Sequence, residues 1–302
     1  MMMKATPLEI DEREKVFQPK IAYSNPIVHV GFWFDEQAIV EDNINSTAYR
    51  RDRCELLIQK TRKMYRNILR QTLLAIETPF TLFGEKYQIK SRYIKNKDNK
   101  TLCLAGVVNE RDIEKVPHFQ HGCCVSATSM TDPCVRNTFR IKGASTERDG
   151  QQVLFGDDVL LQIVESAGPP LYIQCENHTI STFGLHLVCK LSQDPDIYCR
   201  FKFLHGNPAI RNKTLGTPFS PDTKVIIQHS ASGQNLAVEK KRLIPTFFGP
   251  EIEVTCHSFK DSHKIDTKEN YWKIGTRFIS DNALYLRAAK GEELTQKELE
   301  KI

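Results

Sequence analysis

Gly84-Glu85-Lys86-Tyr87-Gln88-Ile89, Gly156-Asp157-Asp158-Val159-Leu160-Leu161 and Asp222-Thr223-Lys224-Val225-Ile226-Ile227 are three versions of one element. Each starts on a turn-forming residue and runs into the apolar positions of a strand. The segments after each of them repeat as well. A short apolar strand comes after a polar turn, as Leu102-Cys103-Leu104, Leu171-Tyr172-Ile173 and Leu236-Ala237-Val238. A third lies around Val125, Val188 and Val254, and each pass closes on Phe139-Arg140-Ile141, Phe201-Lys202-Phe203 or Trp272-Lys273-Ile274. A four-strand unit met three times in one order cannot bury its own apolar face and buries it against its copies. The sequence therefore predicts a mainly β chain: a closed β-trefoil over 80–276, with repeats at about 84–141, 156–204 and 222–274. A non-repeating sandwich would share some of these strands, but not four in fixed order three times. Such a body is a scaffold for binding rather than a catalytic α/β sheet.

Ahead of the first repeat, the stretch from Ser46 to Leu74 changes period. Cys54, Leu57, Thr61, Met64 and Ile68 recur at spacings of three and four, which predicts an amphipathic helix within 46–76. Its polar side is cationic: Arg50, Arg51, Arg53, Lys60, Arg62, Lys63, Arg66 and Arg70 stand against Asp52 and Glu55 alone. This basic face reads equally as a solvated surface or as a contact surface for a partner. Residues 1–45 form an irregular arm with Pro7, Pro19 and Pro26, and with the aromatic run Phe32-Trp33-Phe34. That run either plugs the body or anchors an interface. The tail, 277–302, is charged and offers no apolar face.

Composition narrows the function classes. With 302 residues, 40% hydrophobic and 26% charged, the chain is an ordinary globular one. A net charge of +5 favours an acidic partner without demanding nucleic acid, and few aromatics lie among the basic residues to stack bases. Met1 to Lys15 lacks the apolar core of a signal peptide, and no run approaches a membrane span, so the expected setting is the cytosol. There the nine cysteines, odd in number and irregularly spaced, are expected as thiols.

Signatures of catalysis are sparse. Neither G-x-x-x-x-G-K-[ST], nor G-x-G-x-x-G opening a helix, nor G-x-S-x-G occurs. His118, His121, Cys123, Cys124 and Cys134 are suitable zinc ligands, but their spacing matches no common finger, and a cysteine here is more simply a small core residue. Glu251, Glu253, His257, Asp261 and His263 flank the third strand of the last repeat. Alternation puts Glu251 and Glu253 on the solvent face, so no acid/base site is expected. The expectation is no enzyme, no cofactor and no metal.

Specific strings add a resemblance. Leu56-Leu57-Ile58-Gln59-Lys60-Thr61-Arg62-Lys63, Asn137-Thr138-Phe139, Leu154-Phe155-Gly156-Asp157-Asp158, Thr246-Phe247-Phe248-Gly249, Glu251-Ile252-Glu253-Val254 and Asn270-Tyr271-Trp272 resemble the cilia- and flagella-associated protein 161 family. The resemblance runs from Gly31 to about Gly275, with Gly31-Phe32-Trp33 where the family usually has Gly-Asn-Trp. It implies a MIR-like β-trefoil. It also implies a microtubule inner protein on the luminal wall of the A-tubule of axonemal doublets, contacting α- and β-tubulin and neighbouring inner proteins, with no nucleic acid and no membrane. On that reading Trp33, Arg50, Arg51, Arg53, Lys60, Arg62, Lys63, Arg66 and Arg70 are the contact residues. The alternative is a cytosolic MIR-like module that binds a carbohydrate or other ligand.

Overall fold

Every strand segment read from the three passes falls on a strand of the structure, a computed structural model that describes residues 33–96, 99–109, 112–164, 168–176, 186–277 and 295. The chain divides into two compact units, residues 1–56 and 57–302. In the second, the described residues form thirteen strands in chain order: β1 (Lys86–Lys95), β2 (Thr101–Val107), β3 (Cys124–Thr128), β4 (Phe139–Gly143), β5 (Asp158–Ile163), β6 (Leu171–Gln174), β7 (Leu187–Val188), β8 (Lys190–Ser192), β9 (Arg200–His205), β10 (Val225–His229), β11 (Leu236–Thr246), β12 (Gly249–Cys256) and β13 (Tyr271–Gly275).

Their pairings close on themselves. β1 pairs β13, β13 pairs β10, β10 pairs β9, β9 pairs β5, β5 pairs β4 and β4 returns to β1, all antiparallel. The ring is thus made of the first and fourth strands of each pass. The second and third strands form the hairpins β2–β3, β6–β8 and β11–β12, which meet through β3–β12, β3–β8 and β7–β12. Closure removes the edges that an open sheet would leave to pair with other chains.

Side-chain alternation builds the core. Each ring strand sends two alternate residues inward: Tyr87 and Ile89, Phe139 and Ile141, Val159 and Leu161, Phe201 and Phe203, Val225 and Ile227, Trp272 and Ile274, none more than 3% exposed. At roughly 1.5–3 kcal/mol for each large apolar side chain removed from water, this layer outweighs any single polar contact. Trp272 and Tyr87 bring polar atoms into it, and both are satisfied. Trp272 Nε1 donates to the Leu236 carbonyl at 2.9 Å, and Tyr87 Oη accepts from Leu82 N at 2.9 Å. Two buried asparagines precede fourth strands and clamp the loops beside them. Asn137 donates to the Met130 and Asp132 carbonyls, and Asn270 donates to the His257 carbonyl and accepts from Phe259 N.

The helix differs from its expected 46–76. Two helices stand there instead, α1 (Trp33–Asp52) in the first unit and α2 (Leu57–Ile68) in the second. The first ends where Cys54 turns into the left-handed region at φ 59°, with Cys54 N donating to Arg51 O and Glu55 N to Arg50 O. The second ends because the chain beyond Ile68 takes strand-like partners: Val135 N donates to Arg70 O, Thr72 N to Pro133 O, and Gln71 bridges Cys134. Within α2 the apolar stripe holds at Met64 and Ile68, both buried, while Leu57 is exposed. The expected arm is helical from Trp33; residues 1–32, and the tail from 278 apart from Thr295, lie outside the described residues. Among the described residues no helix is long and apolar enough to cross a membrane.

Candidate functional site

Helix α2 presents the most distinctive charged surface. Its apolar side, Thr61, Met64, Tyr65 and Ile68, packs inward, and at 100° per residue Arg62, Lys63 and Arg66 project from the opposite side, with Arg70 following beyond the last turn. These four are exposed, and no carboxylate pairs with any of them among the described residues. Lys60 sits nearer the body, and its ammonium donates to the Glu114 carbonyl at 3.1 Å. The cationic strip is therefore held at a fixed angle by the body beneath it.

A chain of side chains sets that angle. Tyr65 meets Phe248 edge-on at 5.5 Å, and Phe248 lies under the Arg136 guanidinium, 4.1 Å from its ring centroid. Arg136 is fully buried and donates from Nη2 to both oxygens of Glu251, at 3.0 and 2.7 Å, and from Nε to the Gly106 carbonyl. Ser126 Oγ donates to the same carboxylate at 2.6 Å. Glu251 is only 5% exposed, which corrects its expected place on the solvent face. Strand alternation gives way here because a buried cation from the first pass requires a buried anion in the third. Nothing local in the sequence marks this pair, whose members are 115 residues apart.

Arg50, Arg51 and Arg53 belong to the first unit, all exposed, with the Arg53 guanidinium 4.3 Å from the Tyr49 ring centroid and Arg51 paired with Asp52. Trp33 opens α1, and its side chain lies outside the described set.

The expected clusters disperse. His118 Nδ1 is engaged by the Phe119 carbonyl, Cys123 Sγ accepts from Gln120 N, His121 is exposed, and Cys134 approaches Met130 in a different neighbourhood. His257 instead stacks on His186 at 3.8 Å beside Phe259, and His186 Nδ1 contacts Glu239 Oε2 at 2.5 Å. Burial, then the neighbouring His186, holds His257 below the usual imidazole range.

One cluster of metal-ligand type has no signature in the sequence spacing. The sulfurs of Cys175, Cys189 and Cys256, all buried, lie within 4.8 Å of one another. A closed zinc site takes four ligands. The neighbouring imidazole, His229, has both nitrogens committed, to the Tyr198 carbonyl at 3.0 Å and to Ser232 Oγ at 2.7 Å. Among the described residues the set offers three donors, all buried, and buried thiols of this kind pack as small apolar side chains. Burial likewise pushes the Cys103 thiol up to about 11 and Cys199 up to about 12.

Comparison with known proteins gives this surface a context. Residues 60–277, which hold most of α2 and every strand of the body, match the cilia- and flagella-associated protein 161-like domain. A curated relative, cilia- and flagella-associated protein 161 of Danio rerio, is 25% identical over 280 residues, 89% of this chain and 93% of its own length. Its Mus musculus counterpart is 29% identical over 266 residues, 83% of this chain and 87% of its own. Among solved structures, the SDF2-like protein of Arabidopsis thaliana aligns with a TM-score of 0.46 at 14% identity, covering 67% of this chain and 99% of that one.

Proposed function

The chain belongs to the cilia- and flagella-associated protein 161-like family, and from that premise we propose that it is a structural microtubule inner protein, bound to the luminal wall of the A-tubule in axonemal doublets. The observation that carries the reading is the family match itself, because it spans both the body and the basic residues of the cationic helix. What further supports it is mechanical. A closed ring with no free edge makes a rigid footprint, and the exposed strip Arg62, Lys63, Arg66 and Arg70 suits an acidic partner such as α- or β-tubulin.

On this reading the body is a MIR-like β-trefoil, supported by the ring of first and fourth strands and its three hairpins. The regions before and after it reach neighbouring inner proteins. The role is reinforcement rather than catalysis.

Cryo-electron tomography of doublets carrying a tagged chain is the test. The tag is expected as density inside the A-tubule, and the chain is expected to stay with doublets through salt washes that strip outer-surface proteins. Density confined to the doublet exterior would refute the luminal placement.

A further inference from the structure

Beside Arg70 the body carries a second cationic feature, a cleft built on its strands rather than on the helix. Lys86 of β1 and Arg140 of β4 are direct cross-strand partners, and Arg140 is paired on its other side with Gln162 of β5. Like charges placed directly opposite on neighbouring strands repel. Above this row run Arg70 and Thr72, fixed by the hydrogen bonds of the 70–72 backbone to Val135 and Pro133. Together Arg70, Thr72, Lys86, Arg140 and Gln162 line a cleft of about 260 Å³, and none of the described residues in its wall is a carboxylate.

None of the three cations has an ion pair among the described residues. Arg140 Nε is moreover buried without an acceptor. A guanidinium N–H removed from water with nothing to bond forfeits its hydration for no return. We propose that this cleft receives a carboxylate, an Asp or Glu side chain in an acidic segment of a partner protein.

Charge and surroundings select that ligand. The two oxygens of a carboxylate match the fork of a guanidinium. Lys86 and Arg140 also border an adjoining groove of about 660 Å³ whose wall includes Leu73, Leu74, Ile76 and Leu82. Leu73 is 72% exposed there. A free anion has no use for such a groove, whereas a peptide with apolar residues beside its acidic one fills both.

The inference does not depend on where in the cilium the chain sits, so its test uses the isolated full-length protein. Fluorescence anisotropy is read with a labelled peptide of alternating Glu and Leu, and with the same peptide carrying Gln for Glu. The Glu peptide is expected to bind and the Gln peptide to bind about tenfold or more weakly. Arg140→Gln and Lys86→Gln are each expected to weaken the Glu peptide by a similar factor. Lys213→Gln, on the surface away from the cleft, serves as the control. Thermal unfolding of the free variants supplies a second readout: Arg140→Gln removes the cross-strand repulsion and is expected to raise the midpoint. Equal binding of the two peptides, undiminished binding by Arg140→Gln, or a lowered midpoint in that variant overturns the proposal. Displacement of the peptide by an equimolar amount of inorganic phosphate overturns it in favour of a free phosphate site.

Discussion

The buried pair Arg136–Glu251 offers the sharpest test of how the body holds its cationic helix. Glu251→Leu removes the carboxylate that takes two bonds from Arg136 Nη2 and one from Ser126 Oγ, and leaves a guanidinium with zero exposure facing apolar atoms. Breaking one side of such a pair costs about 3–5 kcal/mol, because a buried charge is left uncompensated. For a chain of this size each kcal/mol is worth about 2–4 °C, so the unfolding midpoint is expected to fall by roughly 6–20 °C. The double variant Arg136→Met/Glu251→Leu removes the charge as well and is expected to recover most of that loss. Urea denaturation of the wild type, both single variants and the double completes the cycle, with the coupling read directly. Hydrogen exchange supplies the spatial readout. Phe248 lies between Arg136 and Tyr65, so amides of 57–68 are expected to lose protection in Glu251→Leu. A cost below about 1 kcal/mol, or a double variant no better than Glu251→Leu, would show that the pair does not constrain the fold as argued.

The glycine turns, the thiols and the stacked histidines each carry an outcome of their own. Gly84 and Gly156 open their passes at φ +83° and +90°, and an added Cβ would meet Asp149 Cγ at 2.7 Å in the first and Leu215 Cδ2 at 3.0 Å in the second. Alanine at either is expected to cost about 1–2 kcal/mol of unfolding free energy, more at Gly84, and no loss at either site contradicts the left-handed requirement. Of the nine thiols Cys54 is the exposed one, so a disulfide-exchange reagent at pH 8 is expected to give one fast-reacting thiol, absent in Cys54→Ser; several fast thiols in that variant would contradict the packing of the others. His257 lies below the ordinary imidazole value, so at mildly acid pH the unfolded chain takes up a proton that the folded chain refuses. Its contribution is full above the unfolded value near 6.5 and is lost as pH falls toward the folded one, and His257→Phe is expected to flatten that part of a stability–pH profile.

How far the sequence can be read depends on the distance over which each feature is decided. The ring strands are legible because alternation is local: Phe201 and Phe203, or Trp272 and Ile274, announce an inward face within three residues. Their threefold recurrence then implies closure, since each pass lacks a partner for its own apolar side. The break between α1 and α2 is not legible, because it rests on a left-handed Cys54, and a cysteine carries none of the signal that glycine would. The same limit hides the charged features. Alternation assigns Glu251 to solvent, and only the arrival of Arg136 from another pass reverses that assignment. Lys86 and Arg140 read as ordinary solvent-facing strand residues until the ring sets them side by side without a carboxylate between them. The apolar plan is thus displayed within each pass of the sequence. The polar departures, Arg136–Glu251 and Lys86 beside Arg140, are made between segments far apart in the chain, where no local pattern reaches.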